Sequence, residues 1–168
     1  MKNWSLLRRI IYVTCAAAVL FGSFFITLWL TEPPSDKERL AAQRILNSSD
    51  LPKAAQNVGL RFSEQLKAAV DQINRVNERE VRMGGWLADL QGNSTPLTLL
   101  VFIDGSMVAA AQTKGERPDV TTKLNLRFGA EKNVAFSFNF NCRPGDQPVV
   151  VGVGERKQYI PLQSEKCP

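Results

Sequence analysis

The sequence predicts a mainly β fold: a two-sheet sandwich of six to seven short strands, preceded by one transmembrane helix and a short helical stalk. Three observations carry this. Residues 10–30 contain no charged side chain. From Lys67 onward, short apolar or alternating runs recur between turn-forming residues, at the spacing of a β-sandwich. The stretch between them, 31–66, carries helix-start signals but few large apolar residues. The expected layout is 1–9 as a cytoplasmic N-terminus, 10–30 across the bilayer, 31–66 as stalk or linker, and 67–168 as an outer β domain.

The apolar run 10–30 has the length of a membrane helix. At about 1.5 Å per residue it spans ~31 Å, the thickness of a hydrocarbon core. A helix pairs its own backbone groups, as lipid requires. Tyr12 and Trp29 lie near its two ends, where amphipathic rings favour the interface, and are expected to anchor it. The alternative is a cleaved secretory leader behind Lys2, Arg8 and Arg9. The run exceeds a leader's apolar core of roughly 7–15 residues, no A-x-A site stands at the polar turn before Thr31, and Ala16-Ala17-Ala18 lies too early in the run, so the retained anchor is preferred. Basic residues flank both sides, Lys37, Arg39 and Arg44 following the run. Arg8 and Arg9 abut it directly, which favours the N-terminus inside and the C-terminal domain outside. In a bacterium that is the inner membrane with the domain in the periplasm.

Of the formal charge of +5, Lys2, Arg8 and Arg9 supply three, leaving the outer part near neutral. No Lys or Arg occurs between Arg82 and Lys114, and no basic cluster with interleaved aromatics appears, so nucleic acid is not an expected partner. Of three cysteines, Cys15 falls within the apolar run and reads as a small buried side chain. Cys142 and Cys167 form an even pair in a translocated domain, and a disulfide is expected. Closing that loop of about 26 residues is worth roughly 3–4 kcal/mol in the chain-entropy model.

After the anchor, Pro33 and Pro34 break the helix. Ser35 and Glu38 read as a capping box for a helix to about Leu46, with Leu40, Ala41 and Ile45 on one side. A second helix, about 51–58, has Pro52 in its first turn and ends before Gly59. This stretch is too poor in large apolar residues to fold alone, so it either packs on the outer domain or meets a partner. Strands are then expected at 67–76, where a helix also fits, and at 80–90, where Gly84 and Gly85 permit a bulge before Trp86. The run 97–103 is apolar on both faces, as in a covered central strand. Asp104-Gly105 marks a type I′ hairpin into 106–112. Pro118 opens a helical turn to Leu124. In 133–142, Val134, Phe136, Phe138 and Phe140 alternate with Ala135, Ser137, Asn139 and Asn141. The last strands are 148–153 and 158–162.

Three stretches carry a resemblance. They are Gly85-Trp86-Leu87-Ala88-Asp89, the run from Thr95 to Gly105 containing Pro96-Leu97-Thr98 and the Asp104-Gly105 turn, and Arg117-Pro118-Asp119-Val120. With the Cys167-Pro168 end, they resemble a bacterial group of Ig-like β-sandwich modules in membrane-anchored or envelope-associated proteins, some attached to glycan-modifying enzymes. The resemblance covers about 67–168 and implies an Ig-like sandwich; it brings no catalytic residues.

The chain contains no histidine, which excludes Ser-His-Asp and Cys-His nucleophile systems and His-ligated zinc. No metal site and no cofactor is expected: the outer cysteines lack C-x-x-C spacing, and Gly152-x-Gly154 leads to no helix. Asp89, Asp104 and Asp119 read as strand end, hairpin turn and helix start in preference to a catalytic carboxylate set. Trp86, the single tryptophan beyond the anchor, is expected to fill the core, with stacking on a sugar or a partner as the alternative. Candidate binding residues are Trp86, Asn139, Asn141 and Arg117, the last also suited to capping or pairing in its loop. These features point to a non-enzymatic single-pass membrane protein whose periplasmic domain binds another envelope protein, as an accessory or stabilising subunit. The alternative is an envelope glycan-binding module, anchored or secreted.

Overall fold

The computed structural model describes residues 34–91, 95–126 and 132–168. The expected anchor, with Tyr12 and Trp29, lies outside the described residues. Among the described residues no helix is long and apolar enough to cross a membrane. Residues Ser35–Pro168 form one compact unit.

Two helices open it, α1 (Asp36–Ala41) and α2 (Leu51–Asn57), followed by β1 (Arg61–Phe62), β2 (Leu66–Arg75), β3 (Glu80–Asp89), β4 (Thr98–Ile103) and β5 (Ser106–Gln112). Helix α3 (Pro118–Leu124) precedes β6 (Ala135–Asn141), β7 (Val149–Gly154) and β8 (Gln158–Leu162). The fold is mainly β, with a five-stranded sheet in the order β1-β8-β7-β4-β5 and a three-stranded sheet β2-β3-β6. The eighth strand, absent from the expected six to seven, is β1, which pairs parallel with β8. Two residues are too few to show a period.

The two sheets share one core. Leu66, Val81, Met83 and Leu87 of the smaller sheet meet Leu99, Val101 and Val150 of the larger, with Phe136 and Phe140 between them. Strand β4 is buried along its whole length because its other face is covered too. There Leu100, Phe102, Val151, Val153 and Tyr159 take up Leu40, Ile45, Leu51, Ala55, Val58 and Leu60. The segment expected as a stalk is thus part of the fold, and the folded unit starts at Ser35 and not near residue 67. Its few large side chains suffice because the sheet supplies the rest of the apolar surface.

The capping box of α1 is present: Glu38 N–H donates to the Ser35 hydroxyl, and Ser35 N–H donates to the Glu38 carboxylate at 2.7 Å. The helix stops at Ala41 and does not reach Leu46, because Ile45 is drawn into a bridge with Gly105, its N–H donating to the Gly105 carbonyl at 3.3 Å. The Asp104-Gly105 turn has φ of 52° and 81°, as a type I′ hairpin needs. The bulge expected in the glycine-bearing strand sits on its neighbour. Val70 pairs with Gly85 and Gln72 with Gly84, so Asp71 of β2 is the extra residue.

Cys142 and Cys167 form the expected disulfide, with Cα atoms 6.2 Å apart. It ties the end of β6 to the tail beyond β8, linking the two sheets. Arg75 reinforces the knot, donating to the carbonyls of Cys142 (2.9 Å), Glu78 and Pro168.

Candidate functional site

On β3, odd-numbered Val81, Met83 and Leu87 face the inter-sheet core. The even-numbered residues therefore take the outer face. Trp86 accordingly does not fill the core between the sheets as expected. It lies half-buried on the outer face, packed with Ala88, Val134 and Val120 of α3. Its cross-strand neighbours are Ala69 and Ala135, whose small side chains leave room for the indole.

Asn139 and Asn141 are exposed on the same face, paired across from Arg82 and Glu80. Arg82 Nε donates to Asn139 Oδ1 at 3.1 Å. Gln72 and Asn74 continue the row, Asn74 Nδ2 donating to Gln72 Oε1 at 3.2 Å. Trp86 pairs with Ala135, so Asn139 lies four residues farther along β6, or ~13 Å, and Asn141 six residues, or ~20 Å. The face is shared, but the indole and the two asparagines do not converge on one spot.

Arg117 is a structural clamp. Its Nε and Nη2 donate to both carboxylate oxygens of Asp119, at 2.8 and 2.7 Å, and Nη1 donates to Asp71 at 2.6 Å. It thereby fixes the start of α3 to the bulge of β2, with the helix crossing over Trp86. The hydrogen bond from Arg117 holds the Asp119 carboxyl at about 2, below its ordinary 3.8. The same bonds raise Arg117 further above its usual range.

The carboxylates stay apart. Asp89 is buried and accepts from Gln91 N–H at 2.8 Å, Asp104 occupies the hairpin turn, and Asp119 is held by Arg117. Among the described residues no group of three His, Cys, Asp or Glu is placed to hold a metal ion.

A surface that sequence reasoning missed lies at the open edge of the larger sheet. Strand β5 ends the order of that sheet, so one side of its backbone has no neighbouring strand. Its sequence, SMVAAAQ, carries no charge, and four of its first five residues are exposed. Edge strands of soluble proteins are usually guarded by charge, Pro or a covering element. Here Ile45 covers Gly105 before the strand and Ala135 bonds Lys114 after it, and within β5 the device is a bulge: Val101 pairs with Ala109 and Phe102 with Met107, leaving Val108 without a partner on β4. Met107 and Val108 are 39% and 40% exposed, and Leu46, 53% exposed, stands over Gly105 beside them. Three of the five large apolar side chains exposed among the described residues thus gather at this hairpin end. Strand β6 is also an edge strand, also uncharged, and meets the chain just past β5, where Lys114 N–H donates to the Ala135 carbonyl at 2.7 Å. The signal available in the sequence was the stretch between Arg82 and Lys114, which holds no Lys or Arg and reads as burial until the strand order places one member at an edge.

Compared with known protein families, with characterised proteins and with solved structures, the chain matches none.

Proposed function

We propose that this chain is a non-enzymatic, single-pass inner-membrane protein whose periplasmic β-sandwich docks another envelope protein along the β5 edge, as an accessory or stabilising subunit. The observation that carries the reading is the uncharged, exposed edge of β5 with Met107, Val108 and Leu46 beside it. An unpaired edge offers backbone donors and acceptors to an incoming strand, and flanking apolar side chains add specificity. The disulfide and the apolar run 10–30 favour an anchored protein in an oxidising compartment. The buried α1 and α2 withdraw one earlier reason for a partner, a stalk with nothing to pack on, and leave the edge as the docking surface.

An Ig-like topology is the finer description we attach to the fold. The order β8-β7-β4-β5 corresponds to G-F-C-C′, β2-β3-β6 to A-B-E, and β1 adds parallel to the last strand. Two features depart from that pattern. Trp86 lies on the B-like strand and not on C, and the disulfide does not join B to F.

The test is purification of the full chain from native membranes in mild detergent. The wild type is expected to run as a complex, and Val108→Lys or Ala110→Pro to release it while the melting temperature holds within a few degrees. A wild type that runs as a solitary monomer overturns the reading.

A second reading, an envelope glycan-binding module, draws on the row Gln72, Asn74, Arg82, Asn139 and Asn141 beside the half-covered Trp86. It predicts a shift of indole fluorescence on titration with cell-wall saccharides, abolished by Asn139→Ala; an unchanged spectrum overturns it.

A further inference from the structure

We propose that the end of the sandwich at which the folded unit begins rests on anionic lipid headgroups, held by Arg61, Arg156 and Lys157 with Lys37 and Arg39, and sets the ring of Phe62 among them. The inference rests on the reading of 10–30 as a membrane anchor and goes beyond the docking edge, because it names a second contact, made with lipid instead of protein.

Segments far apart in the chain meet at this end. Asp36, at the start of α1, lies 3.7 Å from Lys157 in the turn between β7 and β8. Arg61 N–H, opening β1, donates to the Lys157 carbonyl at 2.8 Å. Arg39 pairs with Asp36 from one helical turn on, and Arg156 precedes Lys157. Arg39, Arg61, Arg156 and Lys157 are exposed, and Lys37 is half-buried. The acidic side chains among them are Asp36, Glu38 and Glu155. Glu38 is taken up by the capping box, and Asp36 is shared between Arg39 and Lys157. Beyond Phe62 the chain adds Glu64 and Lys67, one of each sign, so cations stay in excess. Phe62 packs edge-on against Tyr159 yet remains 57% exposed, more than any other large apolar side chain among the described residues. The opposite end lacks this excess. Strand β7 pairs Val153 with Thr98 and Val149 with Phe102, so the Asp104-Gly105 turn lies at the far end from Lys157. There Glu78, Asp104 and Asp146 stand against Arg79 and Arg143.

Lipid is the occupant that the chain's own layout supplies. Four residues, Thr31 to Pro34, separate the apolar run from Ser35, and fully extended they reach at most ~17 Å. With 10–30 in the bilayer, this tether keeps the start of α1, and Lys157 beside it, within that distance of the headgroups. Cations that close to an anionic surface are attracted to it. Confinement raises the effective concentration of headgroups, so a small excess of charge suffices. An exposed aromatic ring beside cations suits the same place, because such rings favour the headgroup level. With this end on the bilayer, the hairpin end where Met107, Val108 and Leu46 gather points away from it.

The experiment uses the full chain with Cys15→Ala, so that one added cysteine carries a fluorophore while the disulfide stays closed. Gln56→Cys reports the cationic end, where Leu60 N–H donates to the Ala55 carbonyl just before Arg61. Ser48→Cys reports the opposite end, where Ser48 shares a groove with Pro148. Each protein is reconstituted in vesicles of phosphatidylcholine, with or without phosphatidylglycerol, that hold a headgroup-spin-labelled lipid as quencher. With phosphatidylglycerol, quenching at 56 is expected to be several-fold stronger than at 48. The contrast disappears in phosphatidylcholine alone and in high salt, and it survives inorganic phosphate added at constant ionic strength. Arg61→Glu with Arg156→Glu abolishes it, and Phe62→Ser reduces it, with circular dichroism melting as the check on the fold. Equal quenching at the two positions, a contrast indifferent to phosphatidylglycerol, or no response to charge reversal overturns the inference. Loss of the contrast to phosphate assigns the cations to a free anion and also overturns it. A label at 56 that is shielded in native membranes but not in vesicles assigns this end to an acidic protein partner, with the same result. A chain that alkaline carbonate strips from the vesicles removes the anchor reading and the inference together. A chain that stays in the vesicles without the contrast removes the inference alone.

Discussion

Gly85→Ala is the most demanding single-methyl test of this fold. Gly85 sits on β3 opposite the bulge of β2 and points into the inter-sheet core. A Cβ placed there overlaps the Ala69 carbonyl oxygen, lies 2.7 Å from Phe136 Cζ, and lies 3.1 Å from Val70 Cα. Two of the three obstacles are backbone of the paired strand, so no side-chain rotation relieves them. Either β2 moves away and weakens its ladder with β3, or Phe136 leaves its packed position. Overpacking of this kind costs typically 1–3 kcal/mol and sometimes more, and the backbone contacts place Gly85→Ala at the upper end, about 3 kcal/mol. For a unit of this size that lowers the melting temperature by roughly 10 °C. Gly145→Ala is the control. Nothing lies within 4 Å of its Cβ, and its φ of +88° alone makes Ala unfavourable, by about 1 kcal/mol. Thermal denaturation of the three proteins by circular dichroism decides the matter. A Gly85→Ala melting temperature within 2 °C of wild type, or a loss no larger than that of Gly145→Ala, refutes the close strand approach.

Three further outcomes follow from the packing and the charges. Cys142→Ser with Cys167→Ser removes a cross-link across 25 positions and lowers stability by about 3–4 kcal/mol, read as a shifted urea midpoint; reductant added to the wild type produces the same shift. Ile45→Ala empties a site among Leu100, Phe102 and Val151, at a cost of about 2–5 kcal/mol, and the helices and strands still melt in one transition because they share that core. Asp119, depressed to about 2 by Arg117, adds stability that is fully present above its ordinary value near 3.8 and is lost as pH falls towards 2. The part of the stability difference between wild type and Arg117→Gln that comes from Asp119 is therefore flat above about pH 5 and shrinks as pH falls through about 2, and Asp119 in the variant titrates near its ordinary value by NMR.

What the sequence made legible was local. The Asp104-Gly105 hairpin, the capping box at Ser35 and the Phe136-Phe138-Phe140 alternation are each written in a few adjacent residues, and each stands where expected, although Phe138 is only partly buried. The pairing of Cys142 with Cys167 followed from there being two cysteines beyond the apolar run. What escaped depends on partners far along the chain. Strand β1 exists because Gln158 and Tyr159 pass beside Arg61 and Phe62. The α1 and α2 residues looked insufficient because the outward faces of β4 and β7 that cover them were unassigned. Trp86 was misplaced because its burial comes from Val120, a residue on an element whose position no local pattern sets. The candidate surface at β5 was hidden for the same reason: an uncharged strand is ordinary in the middle of a sheet and unusual only at its border.

The strand order also dictates when the molecule can be finished. Strand β4 needs β7 on its second side, and β1 pairs only with β8, so the earliest and latest portions of the folded unit are stitched to each other. A polypeptide delivered from its N-terminal end therefore waits, with the flank of β4 and the underside of α2 bare, until its last hairpin arrives. Truncation within that hairpin spoils both ends at once, and any factor that shields greasy half-built sheets during delivery acts on this chain before its closing segment emerges.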